Sequence, residues 1–177
     1  MRELFLWFYC LPIPDVVILA VLGTVGFLYL REEAEHTRYW KTGIRLLLLC
    51  WLAVIFCGTL GQRTEGGNLS APILTPFYSY RAALNGGSPE LYRTNLMNVV
   101  LFYPAGLLGY EALPGRWGGK WKALLVVFVF ALMSMAVEYT QYRLGLGLAE
   151  VDDVIHNTLG ALLGALAYGI SVSVMPE

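Results

Sequence analysis

Apolar residues gather in five long runs, at 13–30, 44–61, 96–113, 123–142 and 154–175, and the stretches between them are polar. Each run is near the ~17–25 residues that a helix needs to cross a bilayer. The pattern predicts an all-α fold: a polytopic membrane helix bundle with about five transmembrane helices, forming a single membrane domain over residues 1–177. Pro14 and Asp15 stand in the opening turn of the first run. A proline is tolerated there because its missing N–H had no helical partner in any case.

The connections differ in kind. Residues 31–43 are short and charged, and 114–122 are short and basic with Gly115, Gly118 and Gly119 as turn residues. Residues 62–95 are long, polar and interrupted by Gly66, Gly67, Pro72, Pro76, Gly86, Gly87 and Pro89. A connection of that length is usually functional or disordered. With five spans, one side holds Arg31, Arg38, Lys41, Arg45, Arg116, Lys120 and Lys122 in short loops, and the other Arg2, Arg63, Arg81, Arg93 and Arg143. The positive-inside rule then favours an extracytoplasmic N-terminus, with 62–95 and 143–153 outside. The aromatic stretch 4–11 reads as an interfacial segment that is retained rather than cleaved.

Composition agrees with a lipid-embedded chain: 57% of the 177 residues are hydrophobic and 14% charged, against about 25% charged in soluble domains. The net charge of −1 supplies no basic field for nucleic acid. Of Cys10, Cys50 and Cys57, the last two lie seven residues apart on one apolar run. They are two turns apart on one face, too far for a disulfide, and all three read as small hydrophobes.

Candidate chemistry collects at one end. Asn95 and Asn98 open the third run, Glu138 and Gln141 close the fourth, and Asp152, Asp153, His156 and Asn157 open the fifth. Spacings of three and four place the members of each group on one helix face. Alternating topology brings the groups to one membrane side, beneath the 62–95 loop, where Arg63, Arg81 or Arg93 could cap the acids. Alone, each residue has a structural reading: Asp152 and Asp153 as acids favoured in a first turn, Asn95 as an N-cap. Together they predict a polar pocket of Arg63, Asn95, Asn98, Glu138, Gln141, Asp152, Asp153 and Asn157. No HExxH motif or two-cysteine pair appears, so no metal and no cofactor is expected. Gly160 and Gly164, extended by Ala161 and Ala165, form a small-xxx-small face, and Ala105 and Gly109 form another; both suit close packing within the bundle.

In order along the chain stand Gly61-Gln-Arg63, Asn68-Leu69, Pro76-Phe77, Asn95-Leu-Met-Asn98, Phe102-Tyr-Pro104-Ala-Gly106, Glu138-Tyr-Thr-Gln141 and Asp152-Asp153-Val-Ile-His-Asn157-Thr158-Leu-Gly160. This ordered set resembles the VanZ-like family of integral membrane proteins, over about 58–168. Two positions depart from the family pattern. The run Glu150-Val-Asp152-Asp153 lacks a directly preceding arginine, Arg143 being the nearest, and His156 stands where an apolar residue is usual. The resemblance implies a multi-pass protein of the bacterial plasma membrane, in a family named for teicoplanin resistance and without an assigned reaction.

Four functions are weighed from these residues. The leading one is binding of an amphiphilic or lipid-linked envelope molecule, such as a cell-wall precursor or a lipoglycopeptide, at the polar mouth beside membrane lipid. The second is an intramembrane enzyme acting on a lipid head group, with Glu138 and Asp153 as the candidate catalytic carboxylate pair and a loop arginine holding phosphate. The third is an ion pair that ties helices together and has no ligand. A coupled transporter is disfavoured, because no polar relay crosses the apolar runs.

Overall fold

A computed structural model of the protein describes residues 12–60, 71–86, 90–114 and 118–174. Six helices occur in them: α1 (Ile13–Ala34), α2 (Trp40–Thr59), α3 (Tyr78–Leu84), α4 (Glu90–Ala112), α5 (Gly119–Leu144) and α6 (Val151–Val174). The chain is all-α, as the pattern predicts. Four helices, α1, α2, α5 and α6, are long and apolar enough to cross a membrane. The fifth long helix, α4, has 23 residues but carries Asn95, Asn98 and Glu111, which make it more polar than the rest. Its position explains how it tolerates them: α4 is the central helix and packs on α6, α2, α5 and α3.

Local signals set the helix ends. Pro14 lies in the first turn of α1. Gly145 ends α5 in the left-handed region at φ 62°, and the Leu146 N–H reaches back 2.9 Å to the Gln141 carbonyl. That six-to-one bond is the Schellman signature, and glycine adopts its conformation without a Cβ penalty. The segment between α2 and α4 is anchored rather than loose where it is described. The Ile73 N–H donates to Ala149 O at 2.9 Å and the Val151 N–H to Ile73 O at 3.0 Å, a parallel bridge that pins the segment beside the start of α6.

The closest packing is between α4 and α6, and it requires glycine. A Cβ on Gly160 would stand 2.2 Å from the Val99 carbonyl oxygen, on Gly164 2.0 Å from that of Tyr103, and on Gly106 2.0 Å from that of Ala161. Backbone meets backbone along this seam, as small residues allow in membranes where the hydrophobic effect gives helices no reason to associate. The Gly160–Gly164 face packs inside the bundle, as expected. On α4 the register differs from the expected pair. Ala105 is fully buried, but the glycine that meets α6 is Gly106, whereas Gly109 faces the Phe130 ring and Val126 of α5.

Around this seam Phe102, Leu108, Phe130, Ala161, Ala165 and Ile55 form one apolar core. The Trp51 indole of α2 donates to Leu101 O at 2.9 Å, on the turn where Pro104 removes one N–H from the α4 ladder. The α1 helix lies outermost. Its Val17, Leu22, Val25 and Leu30 are exposed for lipid to cover, and it is held by a 2.8 Å bond between Thr24 Oγ1 and the Tyr103 hydroxyl and by Phe27 against Trp40 and Tyr168. Cys50 and Cys57 are free thiols. Cys10, Arg2 and the segment 4–11 lie outside the described residues.

One substitution made at two glycines tests this packing. Gly106→Ala should destabilise the protein by about 1–3 kcal/mol, the usual cost of overpacking. Gly23→Ala, which meets nothing within 4 Å, should be neutral or stabilise by up to about 1 kcal/mol through helix propensity. Thermal unfolding in micelles measures both.

Candidate functional site

Asp152 opens α6, and its carboxylate is occupied by another helix. Oδ1 accepts the Phe77 N–H at 2.5 Å, while Oδ2 accepts the Ser79 N–H at 3.0 Å and the Ser79 hydroxyl at 2.5 Å. Phe77 takes the left-handed conformation at φ 59°, which turns these donors toward α6. Asp152 therefore caps the N-terminus of α3 from a distance in sequence, and α3 needs the help because its own N-cap residue makes no side-chain bond. Charged acceptors at such positions make the stronger class of hydrogen bond.

Neighbouring polar residues extend the cluster. Asn95 donates through Nδ2 to Ser79 Oγ at 2.7 Å, and Asn98 through Nδ2 to Asp153 Oδ1 at 2.8 Å. These two bonds join the start of α4 to α3 and α6. His156 is 2.6 Å from the Asp152 carbonyl through Nδ1 and 2.8 Å from the Tyr80 hydroxyl through Nε2. A carbonyl only accepts, so Nδ1 carries the proton, and in the neutral ring Nε2 accepts from Tyr80. The two rings also lie 5.6 Å apart.

On the α5 side, Glu138 Oε2 accepts the Glu150 N–H at 3.0 Å, which fixes the turn into α6. Gln141 donates through Nε2 to Thr59 O at 2.9 Å, tying α5 to the end of α2. Asn157 donates through Nδ2 to Ser134 Oγ at 2.9 Å. Both amides are almost completely buried, yet Gln141 Oε1 and Asn157 Oδ1 have no hydrogen-bond partner among the described residues. The assignment at Gln141 is fixed, because only an amide nitrogen can donate to the Thr59 carbonyl. At Asn157 a reversed amide would orphan the nitrogen in place of the oxygen, so one polar atom stays unmatched in either orientation. Buried polar atoms are rarely left so.

Asn95, Asn98, Glu138, Gln141, Asp152, Asp153 and Asn157 thus all stand at one end of the bundle, linked across α3, α4, α5, α6 and the end of α2. Arg63 lies outside the described residues. Glu138 and Asp153 each engage further partners as well. The expectation that a loop arginine caps the acids changes at Asp152, whose oxygens are taken by the α3 terminus. Arg81 instead donates to Pro76 O at 3.2 Å on the exposed side, and Arg143 is exposed. No three His, Cys, Asp or Glu side chains converge as metal ligands among the described residues. Ser79, Tyr80 and Ser134 complete the network, and the sequence reading did not single them out.

It also passed over a cluster at the opposite end. Glu111 Oε1 accepts from Trp40 Nε1 at 2.7 Å and Lys41 Nζ at 2.5 Å, and Oε2 accepts the Tyr168 hydroxyl at 2.5 Å. The lone carboxylate in the 96–113 run was the available signal, since an acid in such a run is functional or paired by default. Glu111 lies thirteen positions beyond Asn98, about 20 Å of helix, and the space between is mostly filled by the apolar core. Among the described residues no polar relay joins the two clusters.

Comparison with known proteins places this arrangement. The model of the VanZ/LLP1 family matches residues 44–172. The chain is also similar to Protein VanZ of Enterococcus faecium, 35% identical over 81 residues. That alignment takes in 45% of this chain and 47% of the relative, so the chain spans about half the length of the curated relative it matches. No solved structure matches.

Removing the Asp152 charge should release α3. In Asp152→Asn, hydrogen exchange at the Phe77 and Ser79 amides should speed up by tenfold or more, as expected when charge-assisted bonds of about 1.5–3 kcal/mol are lost. Asp15→Asn, at an exposed position, should leave both amides unchanged.

Proposed function

The chain belongs to the VanZ/LLP1 family, and on that premise we propose that it binds an amphiphilic or lipid-linked envelope molecule at the polar end of its bundle. The resemblance drawn from the sequence associates this family with teicoplanin resistance, so the ligand class includes cell-wall precursors on a lipid carrier and lipoglycopeptides. Both have an apolar tail for the lipid-facing helices and a head rich in hydroxyl and amine donors.

The observation that carries this reading is the pair of orphaned amide oxygens, Gln141 Oε1 and Asn157 Oδ1. A cluster serving only to tie helices together should close on itself, because each buried unpaired polar atom costs about 1–3 kcal/mol. This one closes everywhere else that its bonds are described and leaves two acceptors, one on α5 and one on α6. A ligand hydroxyl or amine supplies the missing donors. The 71–86 segment is held at the same end of the bundle by bonds to Asp152, Asn95 and His156 together with the Ile73 bridge.

No observation favours the enzyme alternative. The Asp152 carboxylate accepts three donors, Asp153 accepts from Asn98 and Glu138 from a backbone N–H. These are the bonds of groups held in place.

Binding of a polyprenyl-pyrophosphate muropeptide or of teicoplanin to the protein in nanodiscs tests the proposal. Gln141→Leu and Asn157→Leu should each weaken binding by about 5- to 10-fold, equivalent to roughly 1–1.4 kcal/mol. Ser134→Ala breaks the same internal bond but keeps the Asn157 acceptor, and should bind as the unchanged protein does. Equal losses in Ser134→Ala and Asn157→Leu would make the cluster architectural, and turnover of the probe that stops in Asp153→Asn would favour the enzyme.

A further inference from the structure

The opposite end of the bundle holds a buried lysine with no salt-bridge partner among the described residues. Lys122, in the first turn of α5, is 8% exposed. Its amine lies over the Tyr110 ring, 5.2 Å from the centroid, and no carboxylate is within salt-bridge distance of it among the described residues. A buried ammonium is normally paired. Glu111, the nearest acid, is already committed: Lys41 and Trp40 share one oxygen and Tyr168 takes the other. A cation–π contact alone is worth less than a desolvated charge costs.

Other groups around Lys122 share its sign. Arg31 and Lys41 both lie within electrostatic reach of it. Arg31 stacks over Tyr168, 5.6 Å from the ring centroid; it bridges Glu35 and keeps a buried Nε with no hydrogen-bond partner among the described residues. Three cations, Arg31, Lys41 and Lys122, thus face two carboxylates, Glu35 and Glu111. The N-terminus of α5 adds to the field. Gly118 caps it without a side-chain bond, and no acid stands in the first turn, where anions are favoured. Gly119 lets that terminus come close to Tyr110, since a Cβ there would stand 2.8 Å from the phenolic oxygen.

From this convergence we infer that the mouth formed by α1, α4, α5 and α6 at the end opposite the Asp152 cluster binds a phosphate-bearing anion, with Lys122 and Arg31 as its charged contacts and the first turn of α5 as its cradle. Phosphate accepts from all three at once, and it supplies both the acceptor that Arg31 Nε lacks and the counter-charge that Lys122 lacks. The location at a bundle end suits the head group of an anionic phospholipid, and free phosphate offers the same chemistry. The site is independent of the ligand proposed for the other end.

Native mass spectrometry of the full chain, released from nanodiscs of mixed phosphatidylglycerol and phosphatidylcholine, tests this, with inorganic phosphate titrated in a second arm. The unchanged protein should retain phosphatidylglycerol in preference to phosphatidylcholine. Lys122→Gln and Arg31→Gln should each reduce that retention about tenfold, Lys122→Arg should restore it, and Arg143→Gln at the other end should change nothing. Phosphatidylglycerol retention without inorganic phosphate binding identifies a lipid site, and the reverse result a soluble-anion site; each upholds the inference. If Lys122→Gln does not fold, Arg31→Gln and Lys122→Arg carry the comparison. The inference is overturned if the unchanged protein prefers neither anion over phosphatidylcholine, or if Arg31→Gln, and Lys122→Gln where it folds, bind as it does.

Discussion

Backbone contact between α4 and α6 is the constraint on which the rest of the structure depends. Gly106, Gly160 and Gly164 let carbonyl-bearing surfaces meet where any side chain would collide. Lipid gives helices no hydrophobic reason to associate, so close approach and dispersion must hold the pair together. That seam also fixes register along both helices. It sets Asn98 against Asp153 at one end and Glu111 against Tyr168 at the other. Neither polar group would be tolerable facing lipid, and each is admitted because the seam holds its partner within hydrogen-bond distance.

Two kinds of order follow from this frame. Along the middle of the bundle, aromatic and aliphatic residues fill most of the space, and the few polar groups there pair locally, as Thr24 does with Tyr103 and Trp51 with Leu101 O. At the ends, polar side chains do the joining, and they link elements remote in sequence: Ser79 with Asp152, Trp40 with Glu111, Thr59 with Gln141. The short α3 exists through such a link, since seven residues are too few for a helix to be stable alone in water and its terminus is completed by Asp152. Each end also keeps something unmatched, amide oxygens at one and cationic groups at the other. Those are the places at which the two proposed ligands would bind.

Much of this was legible in the sequence because bilayers impose simple rules. Runs of apolar residues became the five long helices, longer than the runs at most ends because polar residues such as Arg31 to Ala34 and Trp40 to Gly43 extend helices into the interface. The gathering of Asn98, Glu138 and Asp153 at one end follows from alternating topology alone. Side-chain partners were not legible. Ser79 and Tyr80 sit in a connection whose fold depends on Asp152, and Ser134 is one hydroxyl in an apolar run that becomes significant only opposite Asn157. Spacing suggested Ala105 and Gly109 as the α4 contact face, and the rotation of α4 against two neighbours set Gly106 against α6 instead. Glu111 was overlooked because it stands alone in sequence, while its partners come from α2 and α6.

On the proposed reading, Gln141 and Asn157 hold acceptors for a donor-rich head group at the polar end of the bundle. A crystal structure grown from lipidic mesophase with a polyprenyl-pyrophosphate muropeptide tests it most directly. Head-group density should lie within hydrogen-bond distance of Gln141 Oε1 and Asn157 Oδ1, with the polyprenyl chain running along the lipid-facing helices. A head group bound elsewhere, with both amide oxygens satisfied by the protein's own donors, would contradict it.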